Sequence, residues 1–308
     1  MTRIGLLDSG LGLLGTADAL FHLAPHADLV LAMDPDYTPY GSLSAQALEE
    51  RALNSAAVLA EWEPDAIVIA CNTASVQALE AVRARYEPAI PVIGTVPAVK
   101  MAAGTGQDFA IWATPATTGS AYQQTLIDTF AGDLSVAQVA CPGLAEAINS
   151  ADVDTIDTAI DAALAQMDPG METIVLGCTH YGLVADRITA ARAGAITLFD
   201  SPVPVAKQTL RRIGLDPVTA APSADTAAAG GAGTAADRAG TAGSAGAEDR
   251  LGEIMATFAS GRRVRLPESL AAYPAGRRLL ARERAESVRE RAESARERTA
   301  PARERAES

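Results

Sequence analysis

Two stretches of the 308-residue chain carry a cysteine among small polar residues directly after an apolar run: Ala70-Cys71-Asn72-Thr73 and Gly177-Cys178-Thr179-His180. A thiol that follows a strand and precedes a helix sits where unpaired backbone N–H groups favour an anion. Its reference pKa of about 8.5 falls beside positive charge and rises in apolar surroundings, so one thiolate and one thiol can coexist near neutrality. Two such groups on opposite walls of one cleft could take a proton from one face of a carbon and return one to the other. That chemistry inverts a stereocentre bearing hydrogen, and it runs in both directions because the groups are alike.

The ordinary role of a single cysteine is packing as a small hydrophobe, and Cys141 is assigned to it. Zinc is rejected, because structural zinc sites contain closely spaced ligand pairs and none occurs here. A carbanion at an α-carbon is often delocalised into pyridoxal phosphate held on a lysine; no compelling motif for that cofactor is present. Gly10-Leu11-Gly12-Leu13-Leu14-Gly15 matches a dinucleotide-binding pattern. Asp8-Ser9 directly before the glycines argues against that use, and close approach of the backbone to a small zwitterion is the simpler reading. Asp8 could also cap a helix. His22 and His26 read as surface or cap residues on the first helix and the turn after it, whereas His180, two residues from Cys178, could tune a thiol.

The runs Arg3–Leu7, Ala66–Ala70, Phe109–Trp112 and Thr173–Leu176 are continuous enough to read as strands buried on both faces of a parallel sheet. Alanine-rich segments such as 43–60 and 154–167 have helical composition. Strands alternating with helices predict α/β architecture. An offset of 107 relates Cys71 to Cys178, and it also superposes Val96-Pro97 and Lys100 on Val203-Pro204 and Lys207, Asp34-Pro35 on Cys141-Pro142, and Asp8-Ser9 on Pro115-Ala116. The expected fold is two pseudo-symmetric α/β domains with mainly parallel sheets and an active-site cleft between them, since ligands of open α/β sheets sit beyond the strands' carboxyl ends. The first domain is expected over 1–95 plus about 208–219, with 251–275 as a candidate addition, and the second over 96–207.

Residues 220–250 are Ala/Gly-rich and 276–308 form an Arg/Glu-rich heptad-repeat tail; neither has the bulky apolar surface that offsets ordering entropy. The first is expected to be a disordered linker and the second a solvated, partly helical tail rather than a coiled coil. A net charge of −13 and a pI near 4.7 argue against gripping nucleic acid. No apolar stretch reaches membrane-spanning length, no signal-peptide pattern opens the chain, and three widely spaced cysteines suggest no disulfide framework. A soluble, cytoplasmic protein is expected.

Leu7-Asp8-Ser9-Gly10, Pro39-Tyr40-Gly41, Ala70–Ser75, Gly94–Ala98, Ala113–Thr117, Val139–Pro142 and Leu176–Tyr181 occur in an order that resembles the glutamate racemase family, within the wider aspartate/glutamate racemase superfamily. The resemblance implies an isomerase with no cofactor and no metal, converting L-glutamate to D-glutamate for bacterial peptidoglycan. It implies Cys71 as the base toward the D-enantiomer and Cys178 toward the L-enantiomer, with Asp8 and His180 assisting or orienting the thiols. Ser9, Asn72, Thr73, Thr114, Thr117 and Thr179 would hydrogen-bond the substrate's amino and carboxylate groups, and Pro39, Tyr40 and Gly41 would hold its side-chain carboxylate. Asp8 and His180 also count among the expected substrate contacts.

The implied partner is the small-molecule substrate, with neither nucleic acid nor membrane. A homodimer stays open, as does the gyrase binding known in some family members, which these residues do not support. Three departures stand out: Asn149 where the resemblance implies Glu, with Glu146 nearby but out of register; Leu13 for a glycine; and Gly182 for a proline. A racemase of aspartate or a related acid, and a non-catalytic or dual-role binding protein, are the alternatives; His180 favours glutamate over aspartate.

Overall fold

The computed structural model describes residues 1–95, 98–218 and 250–283. Val96-Pro97, the expected linker apart from residue 250, and the tail from 284 onward fall outside them. The strands are β1 (Arg3–Asp8), β2 (Asp28–Met33), β3 (Ala66–Ile69), β4 (Val92–Gly94), β5 (Phe109–Ala113), β6 (Val136–Ala140), β7 (Thr173–Leu176), β8 (Thr197–Phe199), β9 (Ile254–Ala259) and β10 (Arg262–Val264). The first half of the chain contributes helices α1 (Leu13–Leu23), α2 (Ala45–Ala60), α3 (Asn72–Gln77), α4 (Leu79–Tyr86) and α5 (Val99–Ala103). They are followed by α6 (Ala121–Phe130), α7 (Leu144–Ser150), α8 (Val153–Leu164), α9 (Ala185–Ala191), α10 (Pro202–Arg212) and α11 (Pro274–Leu280).

Two sheets form, in the orders β10-β9-β2-β1-β3-β4 and β6-β5-β7-β8. All pairings are parallel except β9 with β10. The order β2-β1-β3-β4 is repeated as β6-β5-β7-β8, so the recurrence at offset 107 reflects two copies of one topology. In the first sheet, alternate residues enter different cores. Ile4, Leu6, Leu29, Leu31 and Val68 point to one side, and Leu7, Val30, Ile67 and Ile69 to the side that α2 covers. The first of these cores continues into the second sheet through Ala110, Trp112, Ile174 and Leu176. The two halves therefore share an apolar interior, in which each fully buried Leu or Ile contributes about 1.5–3 kcal/mol.

The C-terminal piece completes the first half. β9 lies parallel to β2, with Leu29 opposite Ile254 and Met33 opposite Ala259. The folded piece runs past 275: α11 packs on α1 with Leu279 fully buried, and Arg278 pairs with Asp18 at 2.6 Å. The expected start of the tail at 276 therefore needs correcting among the described residues, because Leu279 and Leu280 provide the apolar surface that the Arg/Glu repeat lacks.

The return of the chain beside the first half is tight at Gly252. Its N–H donates to Pro25 O at 2.8 Å, and a Cβ there would stand 2.5 Å from the Ala27 carbonyl carbon. Gly252→Ala is expected to cost about 1–3 kcal/mol by forcing these backbones apart, seen as a melting temperature lower by several degrees. An unchanged melting temperature would show that the approach tolerates a side chain.

Candidate active site

The strands deliver the site residues because their carboxyl ends converge. Asp8 ends β1, Cys71 follows β3, Thr114 follows β5 and Cys178 follows β7. Cys71 and Cys178 line one cavity, one from the strand ends of each sheet. Ser9, Pro39, Tyr40, Gly41, Asn72, Thr73, Thr114, Thr117, Thr179 and His180 line it too. Asp8 alone among the expected residues does not; it lies fully buried behind the wall. Thr38, Ala145, Glu146, Asn149 and Gly177 complete the lining.

Hydrogen bonds lace the halves together around this cavity. The Asn72 side-chain amide donates to Gly177 O at 2.8 Å, tying the residue after one thiol to the residue before the other. The Thr179 hydroxyl donates to Asp8 Oδ2 at 3.1 Å, while Asp8 Oδ1 accepts from the Gly10 N–H at 3.0 Å and the Ser9 hydroxyl at 3.2 Å. Asp8 is thus a bridge, not a cap: α1 begins after Gly12 with no side-chain capping bond. A Cβ at Gly12 would overlap the Thr179 hydroxyl and lie 2.7 Å from Asp8 Oδ2; one at Gly10 would stand 2.9 Å from His180 Nε2. These glycines serve close approach of one half to the other.

Both thiols begin short helical segments, but of different kinds. Cys71 precedes the six-residue α3, whereas Cys178 precedes a 3-10 turn over Thr179–Val184 instead of the expected helix. Cys178 Sγ lies 3.7 Å from His180 Nδ1. Opposite them, the cis-peptide segment Thr38-Pro39 leads into Tyr40, whose buried hydroxyl donates to Asp34 Oδ2 at 2.9 Å. Arg51 grips the same carboxylate with Nε at 2.7 Å and Nη2 at 2.6 Å. Burial would raise the Asp34 carboxyl, but the Arg51 guanidinium holds it below its ordinary value. The sequence reading missed this support of Tyr40: Asp34-Pro35 was visible only as a repeat match, and nothing marked Arg51 on α2 as its partner.

The electrostatics correct one expectation. No Lys or Arg lines the cavity among the described residues, so the positive surroundings expected to lower a thiol are absent from the wall. Burial instead pushes Cys71 up to about 12, with the Asp8 charge adding to it against bonds from Ala74 and Ser9. Burial likewise raises Cys178, a rise opposed by the His180 backbone N–H and reinforced by the charges of Asp8 and Cys71. Asp8 is itself raised to about 7 by burial, and His180 is lowered to about 4 by the same cause. Burial, the largest cause at every one of these groups, favours their neutral forms. The neighbours behave as expected: Cys141 is buried in the shared core, and His22 and His26 are exposed. No group of three His, Cys, Asp or Glu among the described residues is placed to hold a metal ion, and no described helix is long and apolar enough to cross a membrane.

Two parallel sheets of one topology, meeting strand end to strand end over a small polar cleft, define a two-domain α/β racemase fold and an isomerase. A family model for Asp/Glu/Hydantoin racemase matches residues 17–209. A glutamate racemase of Roseiflexus sp. is 38% identical over 218 residues, covering 68% of this chain and 78% of the relative. That of Ectopseudomonas mendocina is 33% identical over 219 residues, covering 68% and 82%. The crystal structure of Escherichia coli glutamate racemase in complex with L-glutamate and the activator UDP-MurNAc-ala superposes with a TM-score of 0.63 at 29% identity, covering 71% of this chain and 84% of that one. The chain belongs to the Asp/Glu/Hydantoin racemase family.

The raised Asp8 carboxyl makes stability depend on pH. Below its ordinary value of 3.8 the group is protonated in both folded and unfolded chains. Between 3.8 and about 7 the unfolded chain has lost a proton that the folded chain keeps, so stability falls as pH rises, by up to about 1.4 kcal/mol per pH unit. Above about 7 both states are ionised and the loss levels off. The melting temperature of Asp8→Asn should therefore pull ahead of the wild type between pH 4 and 7 and then run parallel to it. Curves that are parallel throughout would mean that Asp8 folds as an ordinary carboxylate.

Proposed function

We propose that the protein interconverts L- and D-glutamate by proton transfer between two thiols, supplying D-glutamate for peptidoglycan. The observation that carries the mechanism is that Cys71 and Cys178, from the ends of equivalent strands in opposite halves, line the same cavity. Family membership and the similarity to glutamate racemases support the substrate. One sulfur, as thiolate, takes the proton from Cα; the other, as thiol, gives its proton to the opposite face. The electron pair left on Cα is consumed by the returning proton, and the two cysteines exchange protonation states.

A cleft without its own cation needs a source of positive charge, and the substrate's ammonium group is one. Held beside a sulfur it favours a thiolate there, while the substrate's two carboxylates, which leave it net negative, are taken up by the neutral donors of the wall. Asp8, behind the wall on the Cys71 side, serves as proton acceptor for that cysteine, and His180 serves Cys178. Cys71 acts on the D-enantiomer and Cys178 on the L-enantiomer. The hydroxyls of Ser9, Thr73, Thr114, Thr117 and Thr179 and the Asn72 amide bind the α-amino and carboxylate groups, and Pro39-Tyr40-Gly41, braced by Asp34 and Arg51, receives the side-chain carboxylate. Ser9, whose hydroxyl is held by Asp8 Oδ1, lines the same cavity as Cys71. The three unpaired cysteines suit a reducing, cytoplasmic setting.

Incubation of the wild type with L-glutamate in heavy water should yield D-glutamate deuterated at Cα, with aspartate turned over far more slowly. Cys71→Ala and Cys178→Ala should each lower racemisation by about 10²–10⁴-fold, the usual worth of a general acid or base, with unchanged circular dichroism. A fully active single variant would defeat the two-thiol mechanism, and preferential turnover of aspartate would displace glutamate as substrate.

A further inference from the structure

His180 is buried, and burial keeps its imidazole neutral near pH 7, so one ring nitrogen carries a proton and the other does not. Which one it is decides what Cys178 meets, because Nδ1 faces the sulfur at 3.7 Å. The other nitrogen, Nε2, lies 3.2 Å from the side-chain oxygen of Asn149 on α7. That oxygen also accepts the backbone N–H of Leu11 at 3.2 Å. Leu11 belongs to the glycine-rich loop between β1 and α1, in the other half of the molecule.

We propose that Asn149 is a positioning residue that couples cleft closure to the tautomer of His180. An amide side chain has an acceptor end and a donor end, and a backbone N–H is satisfied only by the acceptor. Leu11 therefore decides which way the Asn149 amide points. With Oδ1 so placed, His180 must carry its proton on Nε2, and Cys178 meets a bare Nδ1 that accepts its S–H. Cys178 is then held as the thiol, ready to donate.

Were the Leu11 N–H withdrawn, the amide would be free to turn its NH2 toward Nε2. The imidazole proton then belongs on Nδ1, where it points at sulfur and favours a thiolate. A carboxylate at position 149 would accept in both states, so this switch is a property of the amide. The geometry is built for the closed contact: a Cβ at Gly10 would stand 3.0 Å from Asn149 Oδ1. The catalytic consequence rests on the two-thiol reading, whereas the tautomer does not.

The test is long-range ¹H–¹⁵N NMR of the full chain labelled at its histidine rings, with the His180 signals assigned by His180→Gln. Wild type equilibrated with saturating glutamate should show the Nε2–H pattern at His180. Asn149→Asp, which keeps an acceptor, should retain that pattern. Asn149→Leu should lose it, with kcat lowered at least about tenfold. A wild-type Nδ1–H pattern would overturn the proposal, as would an Asn149→Leu protein with reduced kcat but an unchanged His180 spectrum. If the wild type racemises nothing, the reading of the reaction fails, while the spectrum still decides the tautomer.

Discussion

The molecule depends on holding the carboxyl ends of two separate parallel sheets within hydrogen-bonding distance of each other. Among the bonds that cross between the halves are Asn72 to Gly177, Thr179 to Asp8, Leu11 to Asn149 and Tyr273 to Ile148. At about 1 kcal/mol net each, they cannot by themselves hold two domains against separation. The adhesion lies beneath them, in the apolar interior that runs unbroken from Leu6 and Leu29 of one sheet to Trp112 and Leu176 of the other. The polar bonds instead set the register of the two walls. Gly10 and Gly12 keep that register attainable, since any side chain there would occupy the space of His180 or Thr179.

Close apposition has an electrostatic consequence. Cys71, Asp8 and His180 are buried and Cys178 is half-buried, and all four are displaced toward their uncharged forms. The guanidinium that could have offset this, Arg51, is committed to Asp34 and through it to Tyr40. Burial makes charge costly at each of these groups, and among the described residues no Lys or Arg on the cavity wall offsets it. This differs from a thiol activated permanently by a neighbouring lysine or arginine.

Much of the fold was legible because the central strands are buried on both faces and so read as continuous Ile, Val and Leu runs. β1, β3, β5 and β7, and helices α2 and α8, fall where composition placed them. The short or edge strands were not legible. β4 and β8 have three residues each, and β6 is half exposed with Gln138 in its middle, so their local composition carries little signal. The place of β9 in the sheet was not legible either, because its partner β2 lies far away in sequence. The 3-10 turn after Cys178 was invisible for a similar reason. Thr179–Val184 is buried between α1 and α7, and packing overrides propensity there.

Residue type and spacing alone determined that the chain would form parallel α/β units, that those units would recur, and that two thiols would stand at equivalent strand ends. These are local properties, since burial on two faces and the turn after a strand are written within a few residues. Tertiary structure decided that both thiols share a single cavity, that Asp8 bridges from behind it, that Arg51 serves Tyr40, and that Asn149 meets Leu11 and His180. Each of those facts requires residues from distant segments to meet, and the meeting is set by how the shared core docks one sheet on the other, which no short-range pattern encodes.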